Sequence, residues 1–249
     1  MNNIILKENN SISKNNLKWG QYTKSKTISI LIFYFIFYLF IISSIPYIFL
    51  EIFPNTSLST IDAINFICQL FSLIIVLIIS KNIFKSDLIN FKNKMPFIIF
   101  DAFRYYVIIY FFNIVFNILL SFIGSSAENQ QALEQLISNT PYSYIFMAII
   151  VAPILEEFIF RGTIFRNIYK KNKYLAYIIS TLLFGLLHVM SSILSGNWIN
   201  AISIISYLNI GYFFAKFYDK HKSIYASVLL HFINNTTAVI LLEIVKRLA

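Results

Sequence analysis

Apolar residues fill this chain in seven long stretches, at 28–50, 60–80, 97–124, 143–167, 174–191, 198–218 and 223–245, separated by short polar connections. Each approaches the roughly 20 residues that a helix needs to cross a bilayer. The pattern predicts an all-α, polytopic membrane helix bundle of about seven spans. The stretch 174–191 is the shortest and reads as a tilted or re-entrant helix. The first stretch follows a polar basic segment, as a signal peptide would. It is longer than the apolar region of a signal peptide and no small-residue cleavage site follows it, so it reads as a retained span. Residues 1–27, rich in Asn, Lys and Ser, form a polar arm ahead of a single membrane domain at 28–249.

Positive charge orients the spans, because short translocated loops avoid Lys and Arg. Sixteen of the 20 basic residues fall in four places: the N-terminal arm and its junction (Lys7 to Lys26), Lys81 to Lys94, Arg166 to Lys173, and Lys216 to Lys222. The intervening connections at 52–59, 125–142 and 192–197 hold none. This places the N-terminus in the cytoplasm and the C-terminus outside, with Lys246 and Arg247 against the trend. The segment AENQQALEQLI at 127–137 reads as a short amphipathic helix on the outer surface.

Composition narrows the class. Hydrophobic residues make up 58% of the chain and charged ones 12%, about half the charge of a soluble domain. With 26 Phe and 16 Tyr there is too little polar surface to cover a core in water. Six glycines, none in a phosphate-loop pattern, argue against nucleotide-binding folds, and the single Cys68 allows neither an intrachain disulfide nor a cysteine metal cluster. The net charge of +9 is dispersed in short blocks between apolar runs, so no nucleic-acid partner is expected.

Ionisable groups at membrane depth carry the functional signal, since each costs about 2.5 to 3.5 kcal/mol even on lenient insertion scales. The fourth stretch holds Glu156, Glu157 and Arg161 behind Pro153. Glu157 and Arg161 are i, i+4 and can pair, whereas Glu156 is rotated by about 100° and meets Phe160 at i+4. Glu156 is thus left to do chemistry. Phe184 and His188 on the fifth stretch, and His231 and Asn235 on the seventh, are two further i, i+4 pairs, and counting about 1.5 Å per residue lets Glu156, His188, His231 and Asn235 converge near mid-membrane. Such a cavity suits addition of water to a carbonyl: a carboxylate in a dry site is pushed toward the range of a general base, imidazole shares the proton, and an amide N–H faces the oxyanion. Two assignments fit the residue types. Either His188 and His231, with Glu156, hold a divalent metal such as Zn²⁺ and its water, or Glu156 and His188 activate water without a metal while His231 and Asn235 polarise the carbonyl.

Elsewhere, Asp101 and Arg104 read as an interfacial i, i+3 pair, and His221, between Lys220 and Lys222, reads as solvated. Asn113, Asn117 and Asn209 read as interhelical hydrogen-bonders.

The motifs EExxxR (Glu156, Glu157, Arg161), FxxxH (Phe184, His188) and HxxxN (His231, Asn235), each in an apolar segment and in that order, resemble the CPBP family of CAAX prenyl proteases and bacteriocin-processing and bacteriocin-immunity proteins. The resemblance covers about 143–240; the first three spans carry no motif. It implies an intramembrane endopeptidase whose site opens toward the cytoplasm, with Glu156 activating water, His188 assisting or ligating metal, and His231 with Asn235 as ligand or oxyanion site. Metalloprotease and glutamate-protease mechanisms are both described for such proteins. An Ile-, Asn- and Lys-rich composition suggests an AT-rich bacterial genome, where peptide or bacteriocin processing or self-immunity fits better than prenyl processing. The competing readings are a non-catalytic scaffold that binds a membrane partner, and a proton-coupled transporter, against which the lack of an inverted repeat counts.

The charge alternation makes a direct prediction. Cysteines introduced at 128–135 should react with an impermeant thiol reagent applied outside cells and cysteines at 87–93 should not; the reverse pattern would invert the topology.

Overall fold

The computed structural model describes residues 22–125 and 141–248. Most of the N-terminal arm and the 127–137 segment lie outside the described residues. Six spans are long and apolar enough to cross a membrane: α1 (Lys24–Ile52), α2 (Leu58–Lys92), α3 (Met95–Phe122), α4 (Ser143–Tyr169), α6 (Trp198–His221) and a last one at Ile224–Ile244 within α7 (Ile224–Leu248). The fifth apolar stretch forms the shorter helix α5 (Lys173–His188). The protein is therefore an all-α polytopic bundle. No strand occurs among the described residues. Large apolar side chains such as Phe40, Ile78 and Phe122 face outward, at 71%, 65% and 82% exposure, as expected where the surrounding solvent is lipid.

The helix ends follow local chemistry. Thr23, Ser57 and Asn172 accept from the backbone N–H groups of Lys26, Thr60 and Leu175, starting α1, α2 and α5. Pro96 occupies the first turn of α3, where its missing N–H is harmless. Lys222, at φ 51°, makes the tight turn between α6 and α7.

Two stretches of α4 are π-helical, Met147–Val151 and Phe158–Phe165, and they flank the acidic pair. Pro153 explains the first. In the wider register Ala152 N–H donates to Met147 O, so the carbonyl that Pro153 cannot serve is that of Ala148. Asn235 Nδ2 on α7 fills it at 2.9 Å.

At the end where α2, α4 and α6 finish and α7 begins, a polar lock fastens four helices. Arg166 Nη2 meets Asp87 Oδ2 and Arg166 Nε meets the Tyr218 hydroxyl, both at 2.5 Å. Asp87 Oδ2 also accepts from Ile224 N at 2.9 Å, capping α7 from another helix. Asn90 Nδ2 holds the Lys222 carbonyl at 2.9 Å.

His221 differs from its reading as solvated. It is buried, with Nε2 2.8 Å from Asp101 Oδ2, while Lys220 Nζ lies 2.7 Å from the same oxygen. Flanking lysines do not expose it: Lys222 lies past the helix end in the left-handed turn, and Lys220 reaches the same Asp101 oxygen. Asp101 is likewise buried and Arg104 contributes only a 3.8 Å contact, so this acid ties α3 to α6 more than it pairs along its own helix. The asparagines act across helices as expected: Asn209 Nδ2 donates to Asn113 Oδ1 at 2.8 Å, and Asn117 Oδ1 accepts from Ser206.

Arg166→Ala would leave Asp87 buried without its counter-charge, a loss of about 3 to 5 kcal/mol. The folded, membrane-inserted fraction should fall sharply, and adding Asp87→Asn to Arg166→Ala should recover part of it, as read from detergent-solubilised yield.

Candidate active site

Glu157 is satisfied by three donors. Its carboxylate accepts from Arg161 Nη1 at 2.9 Å, from His231 Nδ1 at 3.0 Å and from the Ser227 hydroxyl. Glu157 and Arg161 are fully buried. One acid on α4 therefore fixes Arg161 on its own helix and two side chains of α7.

Arg161 extends the network. Its Nη2 donates to the Gly211 carbonyl of α6 at 2.8 Å. Its guanidinium lies 4.6 Å from the Phe184 ring centre and 5.4 Å from that of Phe214, an aromatic cage that suits a delocalised cation. Phe184 does three jobs: it covers Arg161, its ring packs edge-on to Phe160 at 5.4 Å, and its carbonyl faces His188 Nδ1 at 2.8 Å. A Cβ on Gly211 would stand 3.1 Å from Phe184 Cδ1, so α6 needs glycine to bring its carbonyl this close to Arg161.

Glu156 has no such partners. Its Oε2 is buried and makes no hydrogen bond. It faces His188 Nε2 at 3.8 Å and His231 Nε2 at 4.0 Å. The tautomers follow from the other ring nitrogens. A carbonyl and an arginine-paired carboxylate can only accept, so His188 Nδ1–H donates to Phe184 O and His231 Nδ1–H donates to Glu157. In the neutral form, each imidazole then turns an Nε2 lone pair toward Glu156. Three acceptors facing one another call for a proton, a water or a cation between them, and the gaps, too long for direct hydrogen bonds, suit a bridging molecule. Tyr34 of α1 packs edge-on to Phe160, one turn from Glu156, and stacks on Tyr38 at 5.4 Å.

The structure thus brings Glu156, Glu157, Arg161, His188 and His231 together. Asn235 stands one turn beyond His231, tied to the Ala148 carbonyl and to Asn234. In donor type, two imidazoles with tethered Nδ1 atoms and a carboxylate resemble a metal set. In spacing they do not: among the described residues no group of three or more His, Cys, Asp or Glu side chains is placed to hold a metal ion.

Sequence reasoning did not single out Ser227, Gly211 as an acceptor, or the two tyrosines of α1. Ser227 precedes His231 by one turn and Tyr34 and Tyr38 are i, i+4, a spacing that could have flagged them had the first span been read for faces rather than for mean hydropathy.

Comparison with known proteins bears out the resemblance drawn from the motifs. Residues 138–237 match the family described as type II CAAX prenyl endopeptidase Rce1-like. A stretch of 120 residues is 35% identical to the Bacillus subtilis (strain 168) protein named "Putative membrane peptidase YdiL", covering 48% of this chain and 45% of that relative. The match thus spans less than half the length of that relative. Over 216 residues the chain is 26% identical to "UPF0177 protein YvdC" of Lactococcus lactis subsp. lactis (strain IL1403), covering 84% of this chain and 77% of the relative. No solved structure matches the chain.

Substitutions at two positions probe the network without touching Glu156. Arg161→Ala should cost about 3 to 5 kcal/mol and lower the folded yield, with Arg161→Lys a partial rescue because one ammonium cannot serve both Glu157 and Gly211. Gly211→Ala should cost about 1 to 3 kcal/mol by pushing on Phe184. Full accumulation of Arg161→Ala would refute the role given to the pair.

Proposed function

We propose, from the match to an endopeptidase family and from the unpartnered Glu156 oxygen, that the protein is an intramembrane endopeptidase. It hydrolyses a peptide bond in a peptide or membrane-associated protein near the cytoplasmic face. The observation that carries this reading is the contrast between neighbouring acids: Glu157 has three donors, whereas Glu156 Oε2 has none and faces two imidazoles. A buried structural pair needs one acid. The second, held without a partner at membrane depth, is costly unless it reacts.

In the reaction, a water between Glu156 and the imidazoles gives a proton to Glu156 Oε2 as its oxygen attacks the scissile carbonyl. The proton then resides on Oε2 or on an Nε2, which makes that atom a donor. It can hold the developing oxyanion and then protonate the leaving amine. Glu157 and the Phe184 carbonyl keep both imidazoles in the tautomer that presents Nε2, and Arg161 keeps Glu157 in place. Asn235, by securing Ala148, holds the turn of α4 that precedes the acids; its remaining amide N–H is the group available to an oxyanion. His188, His231 and Glu156 are also the side chains that would hold a divalent metal, and a metal there would supply Lewis-acid activation of water. Among the described residues their spacing does not match such a ligand set.

Peptide maturation, bacteriocin processing or self-immunity is the proposed setting, in a cell membrane with the N-terminus cytoplasmic. The basic connections at Lys81 to Lys94 and Arg166 to Lys173 support that orientation.

Glu156→Gln keeps size and shape but cannot accept the proton, so cleavage by purified protein should vanish at normal membrane levels, and His188→Ala should come close to this. Asn235→Ala should lose on the order of 10² to 10³ if its amide serves the oxyanion. Activity should survive a chelator; loss restored by Zn²⁺ would assign His188 and His231 as ligands. Full activity in Glu156→Gln would leave a non-catalytic scaffold as the function.

A further inference from the structure

Helix α2 is apolar on average, yet part of its buried face is polar. Asn65, Gln69 and Ser72 point inward at helical spacing and are almost fully buried. One turn earlier Asp62, with Ser59, Ala63, Phe66 and Ser143, lines a cavity of about 290 Å³, and Asp62 Oδ1 accepts from the Ser143 hydroxyl. Asn65 is 7% exposed and its Nδ2 makes no hydrogen bond. A buried amide donor without a partner is costly and is ordinarily met by ordered water. Further in, Gln69 Oε1 accepts from the Tyr38 hydroxyl at 3.0 Å, and Tyr38 stacks at 5.4 Å on Tyr34, which packs on Phe160 one turn from Glu156. On α7, Thr236 Oγ1, beside Asn235, is also buried and unpartnered.

Helices α2 and α4 run parallel, which fixes the order of these groups. Ser143 meets Asp62, Phe146 packs on Phe66, Phe158 packs on Phe84, and Arg166 pairs with Asp87. Glu156 therefore lies about 20 Å from the cavity along α4, and Asn65, Gln69 and Ser72 follow Asp62 by about 5, 10 and 15 Å on α2. Fully buried Val76 interrupts the polar strip, and Ser80, also fully buried with an unpartnered hydroxyl, lies between it and the Asp87 lock.

We propose that this strip is a hydrated path that brings water to Glu156 from the Asp62 cavity, at the end of the bundle away from the Asp87–Arg166 lock. The ligand is water, and the entrance is on the outer face. The role rests on Glu156 being the hydrolytic base. The strip itself rests on the unpartnered donors and the cavity.

Thiol accessibility tests it. In a Cys68→Ala background, Asn65→Cys and Gln69→Cys should react with an impermeant quaternary-ammonium methanethiosulfonate applied to intact cells. Asn55→Cys, in the connection before α2, is the positive control. Ile67→Cys and Ile74→Cys, on the lipid face of α2 at 63% and 54% exposure, should stay unlabelled. Failure of positions 65 and 69 to react while position 55 does, or reaction only in inverted vesicles, would overturn the path. As a second measurement, Asn65→Leu should lower turnover about tenfold at unchanged KM; wild-type turnover at wild-type membrane level would also overturn it. Labelling needs no cleavage, so failure of the path and failure of the peptidase reading appear in different readouts.

Discussion

A carboxylate buried at membrane depth must be neutralised by what surrounds it, and the way this bundle meets that demand at Glu157 sets most of its interior. Arg161, Ser227 and His231 all donate to the one acid. Arg161 then needs the Gly211 carbonyl and the Phe184 and Phe214 rings, which brings α5 and α6 against α4. The network is a specification of geometry more than a reservoir of stability, because the desolvation of two ions offsets much of their attraction. Removing one member would expose that cost.

Glu156 inherits its position from this arrangement. Adjacent residues on a helix point about 100° apart, so fixing Glu157 toward α6 and α7 aims Glu156 at the two imidazoles, and the π-helical turns on either side keep the pair in a stretch whose register is already loosened. Each imidazole is tethered through Nδ1, one to a carbonyl and one to Glu157. The structural acid thereby controls the tautomer of one of its neighbour's partners.

Much of this was legible in the sequence. The spans, the Glu157–Arg161 pair and the grouping of His188 and His231 with Glu156 follow from apolar run length and i, i+4 spacing. Where the reading fell short, averaging was the reason. Asn65, Gln69, Ser72, Ser80, Asp87 and Asn90 sit one to two turns apart among Ile and Leu, so α2 averages to a plain span while its inner face is polar. Arg166 and Tyr218 are 52 residues apart and Arg166 and Asp87 are 79 apart, contacts that no local pattern announces. His221 was misjudged from its sequence neighbours because burial depends on the helix face, and Asn235 took a role set by Pro153 that only the π register of Met147–Val151 explains.

The central claim is that two consecutive acids have opposite duties, one holding the bundle together and one standing unpaired. The thermal unfolding of purified Glu156→Gln and Glu157→Gln in detergent tests it most directly. Glu157→Gln should melt well below the wild type, since Arg161 and His231 lose their acceptor charge. Glu156→Gln should melt at or above it, since it replaces an unpartnered buried carboxylate with a neutral amide. A Glu156→Gln protein that melts lower than Glu157→Gln would contradict the account.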